Sequence, residues 1–236
     1  MTDTSSDIQS MLRFEDQVER FEREVLEQKP VSSEHYDSEY FTDDWREGDN
    51  RYELETRRRI EDRNPRLIAE TFEPAKVLDM GCGPGFLMLF LQELGLDVTG
   101  VDFAESSKEL APPDVRERII VGATDERHVD DRAFDLVICR EVFEHLTVRQ
   151  VHATVRRICE ASSRFVYATT RYHPDPPDLL SFTTQFDVDP THITLLPKAL
   201  LRTFFVLEGF RSRPDLERKM DWGGKGRVLV YERSDA

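Results

Sequence analysis

Val77-Leu78-Asp79-Met80-Gly81-Cys82-Gly83-Pro84-Gly85, running on into Phe86-Leu87-Met88-Leu89-Phe90-Leu91, decides how this chain folds. An apolar run, a turn built on three glycines and a second apolar run read as a buried strand, a tight turn and a buried helix. Such a turn brings backbone N–H groups and a helix N-terminus to one point, which suits a carboxylate or a phosphate. The next apolar strand, Val98-Thr99-Gly100-Val101, ends in Asp102. A carboxylate at the tip of a second strand is placed to accept hydrogen bonds from a ribose diol. The spacing therefore implies a nucleoside ligand with an anionic tail.

A dinucleotide fingerprint needs its third glycine where this chain has Phe86. Asp79, just before the glycines, repels a pyrophosphate and welcomes an ammonium. Ribose, carboxylate, ammonium and sulfonium occur together in S-adenosylmethionine. With Phe134-Asp135-Leu136-Val137-Ile138-Cys139-Arg140-Glu141-Val142-Phe143-Glu144-His145-Leu146 added, the set resembles the class I S-adenosylmethionine-dependent methyltransferases. More narrowly it resembles the small-molecule branch, which includes ubiquinone-type O-methyltransferases and sugar N-methyltransferases. The resemblance covers roughly residues 70 to 236. It implies S-adenosyl-L-methionine as cofactor and methyl transfer to a nitrogen or oxygen of a small-molecule acceptor, with sugars and secondary metabolites as candidates. The alternatives are an RNA 2′-O-methyltransferase with a metal-assisted site and a non-catalytic cofactor-binding regulator.

Alternation of strands with helices implies an α/β, Rossmann-like, doubly wound sheet. Seven strands are expected, mainly parallel, with an antiparallel last strand. Strands read over 76–80, 97–101, 118–121, 134–139 and 164–169. Helices read over 8–28, 51–71, 85–94, 104–110 and 147–160, with Thr147 and Gln150 forming a capping box and Thr194 capping a helix that ends at Gly209. Residues 1–70 read as an N-terminal helical lid segment, and 71–236 as the cofactor-binding domain with an acceptor-site insertion near 170–193. Tyr36, Tyr40, Phe41 and Trp45 lie in an aromatic, acidic stretch that matches the cover found in similar enzymes. The charges around Arg57, Arg58 and Arg59 read as a solvated face, because Glu53, Glu55, Glu61 and Asp62 are interspersed.

The expected cofactor residues are Tyr36, Asp79, Gly81, Gly83, Gly85, Asp102, Phe103, Ala123, Thr124 and Arg140. Relatives carry an Asp near the adenine; here it falls slightly late, at Asp125. Methyl transfer needs an aligned, desolvated nucleophile and a group to take its proton. Glu141, Glu144 and His145 share one face if their segment is helical, and His145, with Glu144, is the expected catalytic pair. Tyr40, His173 and His192 are the expected acceptor contacts. No metal is expected; the alternative is a divalent cation on Glu141, Glu144 and His145, as the Glu-x-x-Glu-His pattern of ubiquinone-type and small-RNA methyltransferases implies.

A formal charge of −15, from 32 basic and 47 acidic residues, opposes binding to nucleic acid. The longest apolar run is too short to span a bilayer. The polar N-terminus is unlike a secretory signal, and three scattered cysteines fit a cytoplasmic location with reduced thiols. Oligomeric state is open, with a homodimer among the options.

Overall fold

The computed structural model describes residues 4–42, 51–172, 189 and 191–235. Helix α1 (Thr4–Glu27) stops before Pro30, and a 3-10 turn, Ser33–His35, and the short α2 (Ser38–Thr42) carry the aromatic segment. Then come α3 (Leu54–Glu61), α4 (Asn64–Phe72), β1 (Lys76–Met80), α5 (Phe86–Gln92), β2 (Asp97–Asp102), α6 (Glu105–Leu110) and α7 (Pro113–Arg116). The chain continues through β3 (Ile119–Val121), β4 (Phe134–Arg140), a 3-10 turn at Phe143–His145, α8 (Val148–Ala161) and β5 (Ser162–Thr169). It closes with α9 (Lys198–Leu207), β6 (Phe210–Ser212), α10 (Pro214–Met220) and β7 (Val228–Arg233).

The strands form one seven-stranded sheet in the order β3-β2-β1-β4-β5-β7-β6. Pairs from β3 to β5 are parallel, whereas β7 runs antiparallel to both β5 and β6. Period-two alternation divides each strand between two cores. Val77, Leu136, Ile138, Tyr167 and Val230 face α4, α5 and α10, packing on Ile68, Phe72, Met88, Leu91 and Met220. Leu78, Val137, Cys139, Val166 and Leu229 face α8 and α9, packing on Val151, Val155, Ile158, Leu201 and Phe205. The three cysteines are buried and free. Among the described residues no helix is long and apolar enough to cross a membrane.

The capping box forms at α8: Thr147 Oγ1 accepts from Gln150 N at 3.2 Å, and Thr147 N donates to Gln150 Oε1 at 3.1 Å. Two helix expectations need correction. The helix expected over 51–71 is two helices, because the chain turns at Asp62 (φ +45°) and Pro65 begins α4. Proline has no N–H for a helix interior but suits a first turn. Thr194 caps no helix: α9 starts behind Pro197, and the Thr194 hydroxyl donates to Leu146 O at 2.6 Å. Gln28 Nε2 donates to Ile193 O and Thr194 Oγ1, and Gln28 Oε1 accepts from Val148 N, tying the N-terminal segment to this loop and to α8.

Candidate active site

Strand β1 pairs with β2 on one side and β4 on the other, so the crossovers depart in opposite directions. A crevice opens at such a switch point, beyond the carboxyl ends of the strands. The cleft found there holds about 1210 Å³ of space, open solvent at its mouth included. Asp79, Gly81, Gly83, Asp102, Phe103, Ala123, Thr124 and Arg140 all line it. Tyr36, Tyr40, Phe41, Tyr52 and Arg57 reach it from the N-terminal segments.

The glycine turn spends its N–H groups on the protein. Gly81 N and Cys82 N donate to Val101 O, at 2.7 and 3.2 Å, and Gly85 N to Cys82 O at 3.1 Å. Gly83 N donates to Asp102 Oδ2 at 2.7 Å. The expectation of bare N–H groups here is therefore corrected. Gly85 does not line the cleft; it packs against Ile119, Val115 and Met88. Asp102 also accepts from Ala104 N (3.0 Å) and Ser107 Oγ (2.7 Å), so it pins the turn while lining the cleft. Burial pushes its carboxyl above the ordinary range, against those hydrogen bonds. Gly81 (φ +80°) has a second reason to be glycine: a Cβ there meets Val142 Cγ2 at 2.2 Å.

Asp79 is 3% exposed. Burial pushes its carboxyl up to about 7; the nearby Arg140 charge opposes that, while Glu61 and Asp102 add to it. Arg140 does not point a free guanidinium at the cleft, because it is paired with buried Glu61 at 2.8 Å. Glu61 also holds Arg57 at 3.3 Å and accepts from Asn64 Nδ2 at 3.1 Å. Burial acts to raise the Glu61 carboxyl, but the charge and hydrogen bond of Arg140 outweigh it and hold the group below its usual range. Arg57 lies over the Tyr52 ring, 4.5 Å from its centroid. Arg57 and Glu61 thus belong to the cleft rather than to a solvated face. Their i,i+4 spacing was the available sequence signal.

Phe103 is 40% exposed on the cleft surface, where a flat ligand can lie against it. Ala123 presents its backbone, with its carbonyl held by His128 Nε2 at 2.8 Å. The Thr124 hydroxyl is spent on Thr154 Oγ1 at 3.1 Å, and Asp125 lines the cleft.

The opposite wall is aromatic. Tyr36 packs edge-on against Tyr40 at 4.9 Å and against His145 at 5.9 Å. The expected shared helical face for Glu141, Glu144 and His145 does not form: Glu141 takes φ +52°, and only a 3-10 turn follows. His145 reaches the cleft, but Glu144 is fully buried behind it and accepts from Thr170 Oγ1 at 2.6 Å. Burial and then the Glu141 charge push the Glu144 carboxyl well above its usual range. His192 is also buried behind His145, with ring centroids 4.6 Å apart, and is absent from the cleft lining. Among the described residues, Glu144, His145 and His192 bring donor atoms within 4.8 Å of one another, a different set from the alternative with Glu141. His173 and Trp45 lie outside the described residues. Sequence reading missed Thr191 and Asp189: His145 Nδ1 lies 2.8 Å from Thr191 Oγ1, which donates to Asp189 Oδ1 at 2.6 Å. Tyr40 OH donates to Asp189 Oδ2 at 3.0 Å.

A family described as a methyltransferase domain matches residues 52–211, more than half of the chain. The ubiquinone biosynthesis O-methyltransferase of Rickettsia akari (strain Hartford) is 35% identical over 75 residues, 30% of each chain. That of Photorhabdus laumondii is 36% identical over 91 residues, 35% of this chain and 38% of the relative. The chain thus spans about a third of the length of these curated relatives. Magnesium protoporphyrin IX methyltransferase from Synechocystis PCC 6803, solved with bound S-adenosylmethionine, superposes with a TM-score of 0.60 at 18% identity, covering 88% of this chain and 100% of that one. A SAM-dependent methyltransferase from Archaeoglobus fulgidus gives 0.58 at 16% identity, covering 75% and 94%. At these identities the structures speak for the fold. The chain belongs to the methyltransferase-domain family, and its fold is that of the S-adenosylmethionine-dependent methyltransferases it superposes on.

Proposed function

We propose that this methyltransferase acts on an oxygen or nitrogen of a small-molecule acceptor, with His145 taking the acceptor's proton. The observation that carries this reading is one continuous cleft lined both by Asp79, Arg57 and Asp102 and by His145, which packs edge-on against Tyr36. That donor set fits the cofactor: a buried, destabilised carboxylate suits its ammonium, and Arg57 suits its carboxylate. Asp102 takes the ribose hydroxyls, while Phe103, Ala123 and Thr124 flank the adenine. S-adenosylmethionine supplies a methyl on a sulfonium, which departs as a neutral thioether and needs no acid. The chain's own work is alignment, exclusion of water and acceptance of one proton. The segment carrying Tyr36, Tyr40 and Phe41 acts as the cover over the cleft. The −15 charge favours a small acceptor over RNA.

The test is turnover with labelled cofactor on phenolic, amino-sugar and carboxylate acceptors, with and without chelator. His145→Ala is expected to lower kcat by about 10²–10⁴-fold while cofactor affinity stays unchanged. A near-normal rate in that variant removes His145 from catalysis. Loss of activity with chelator, restored by a divalent cation, reassigns Glu144, His145 and His192 to a metal.

A further inference from the structure

We propose that Thr191 and Asp189 are positioning residues that fix His145 in its Nδ1–H tautomer, and that the cover closes onto this same pair. The inference rests on reading His145 as the proton acceptor. It follows from counting protons on one hydroxyl. A threonine hydroxyl has one hydrogen to donate and two lone pairs. Thr191 gives its hydrogen to Asp189 Oδ1 at 2.6 Å, and its backbone N–H reaches the same oxygen at 2.9 Å. The contact with His145 Nδ1, at 2.8 Å, therefore needs its hydrogen from the imidazole. With the proton on Nδ1, the lone pair of the neutral ring is on Nε2. Nε2 is then the atom that takes a proton from the acceptor's O–H or N–H, to be lost later to water.

The Tyr36 hydroxyl is hydrogen-bonded to Thr191, and burial keeps that phenol protonated. Tyr40 OH donates to the other oxygen of Asp189 at 3.0 Å. Both tyrosines of the cover therefore land on the pair that orients the base. Asp189 is the acceptor on which the array depends. Burial acts to raise its carboxyl, but the hydrogen bonds from the Thr191 hydroxyl and backbone N–H help hold it below the ordinary range. Covering the cleft and setting the imidazole are one event in this arrangement.

Long-range proton–nitrogen NMR of histidine-labelled protein, at about pH 8 where an ordinary imidazole is neutral, reads the tautomer without any acceptor. Loss of its signals in His145→Ala assigns the ring. The wild type is expected to show Nδ1–H at His145, Thr191→Val to shift it towards Nε2–H, and Thr191→Ser to restore it. On an accepted substrate, Thr191→Val should lower kcat at least tenfold with cofactor affinity unchanged, and Thr191→Ser should recover the rate. An Nε2–H ring in the wild type overturns the relay, even if no variant folds. So does an Nδ1–H ring that persists in Thr191→Val. An Nδ1–H wild type alongside full activity in His145→Ala leaves the relay standing and removes only the base reading on which it was built.

Discussion

Asp79 is a carboxyl held away from water and poised near neutrality, at about 7 against an ordinary 3.8. Its protonated form is favoured by the fold, so the ligand-free protein loses stability as pH rises from about 4 to about 7. Asp79→Asn should remove that loss: thermal melts should show a variant gaining on the wild type across this window. A difference that does not vary with pH would show the carboxyl to be unperturbed. An ammonium seated beside Asp79 reverses the balance, because it favours the charged form. Cofactor affinity should therefore rise by up to about tenfold per pH unit below 7, level off, and fall again near 8 as the cofactor's own amine deprotonates. Titration calorimetry in two buffers of different ionisation heat should find proton release below pH 7. Asp79, Asp102, Phe103 and His145 were legible in the sequence because a local motif fixes each to a strand end. Arg57, Glu61, Asp189 and Thr191 were not, since Arg57 and Glu61 reach the cleft, and Thr191 and Asp189 reach His145 behind it, through packing between segments far apart in the chain. The Glu144–His145 pair read as one unit, yet its two side chains diverge. A positive φ at Glu141 and a tight 3-10 turn send Glu144 inward and His145 outward.

At the scale of elements, the five strands given bounds, β1 to β5, were read within two residues at each end, because both cores demand continuous apolar runs in β1, β4 and β5. Helix boundaries were less legible where proline or a side-chain contact intervened, as at Pro65 and Thr194. The contact that builds the site is between two loops: the glycine turn after β1 and the segment after β4, which meet where Gly81 faces Val142. Gly81→Ala should drive these loops apart, since a Cβ 2.2 Å from Val142 Cγ2, at φ +80°, has no relaxed position. We expect a loss of stability of at least about 1 kcal/mol together with at least tenfold weaker cofactor binding, read by denaturant melts and calorimetry. An unchanged melt would mean that the segment from Glu141 to His145 yields easily. The aromatic segment is held more lightly. Within its short α2, Phe41 is the buried residue, and its remaining ties include Tyr40 to Asp189, Ser106 to the Tyr36 carbonyl, and Tyr52 N to Phe41 O. Amide exchange over residues 35–42 should therefore be faster without ligand and slow when cofactor binds. Equal protection in both states would make this segment a fixed brace.

For the whole molecule, the doubly wound order with β7 inserted antiparallel between β5 and β6 puts the functional loops of β1, β2 and β4 on one edge and leaves the helices to cover both faces. Strand–helix alternation made this architecture readable, whereas the insertion near 170–193, rich in Pro, Asp and His, carries no periodicity from which its packing could be read. The central claim is that the cleft at this edge is an S-adenosylmethionine site. Calorimetric titration of the purified protein with S-adenosylmethionine and with S-adenosylhomocysteine tests that claim most directly. The expected result is one site per chain with micromolar affinity for both, weakened about tenfold or more in Asp102→Ala, which removes a charged hydrogen-bond acceptor from the cleft. Absence of heat and of thermal stabilisation with both ligands, alongside stabilisation by a nicotinamide dinucleotide, would contradict it.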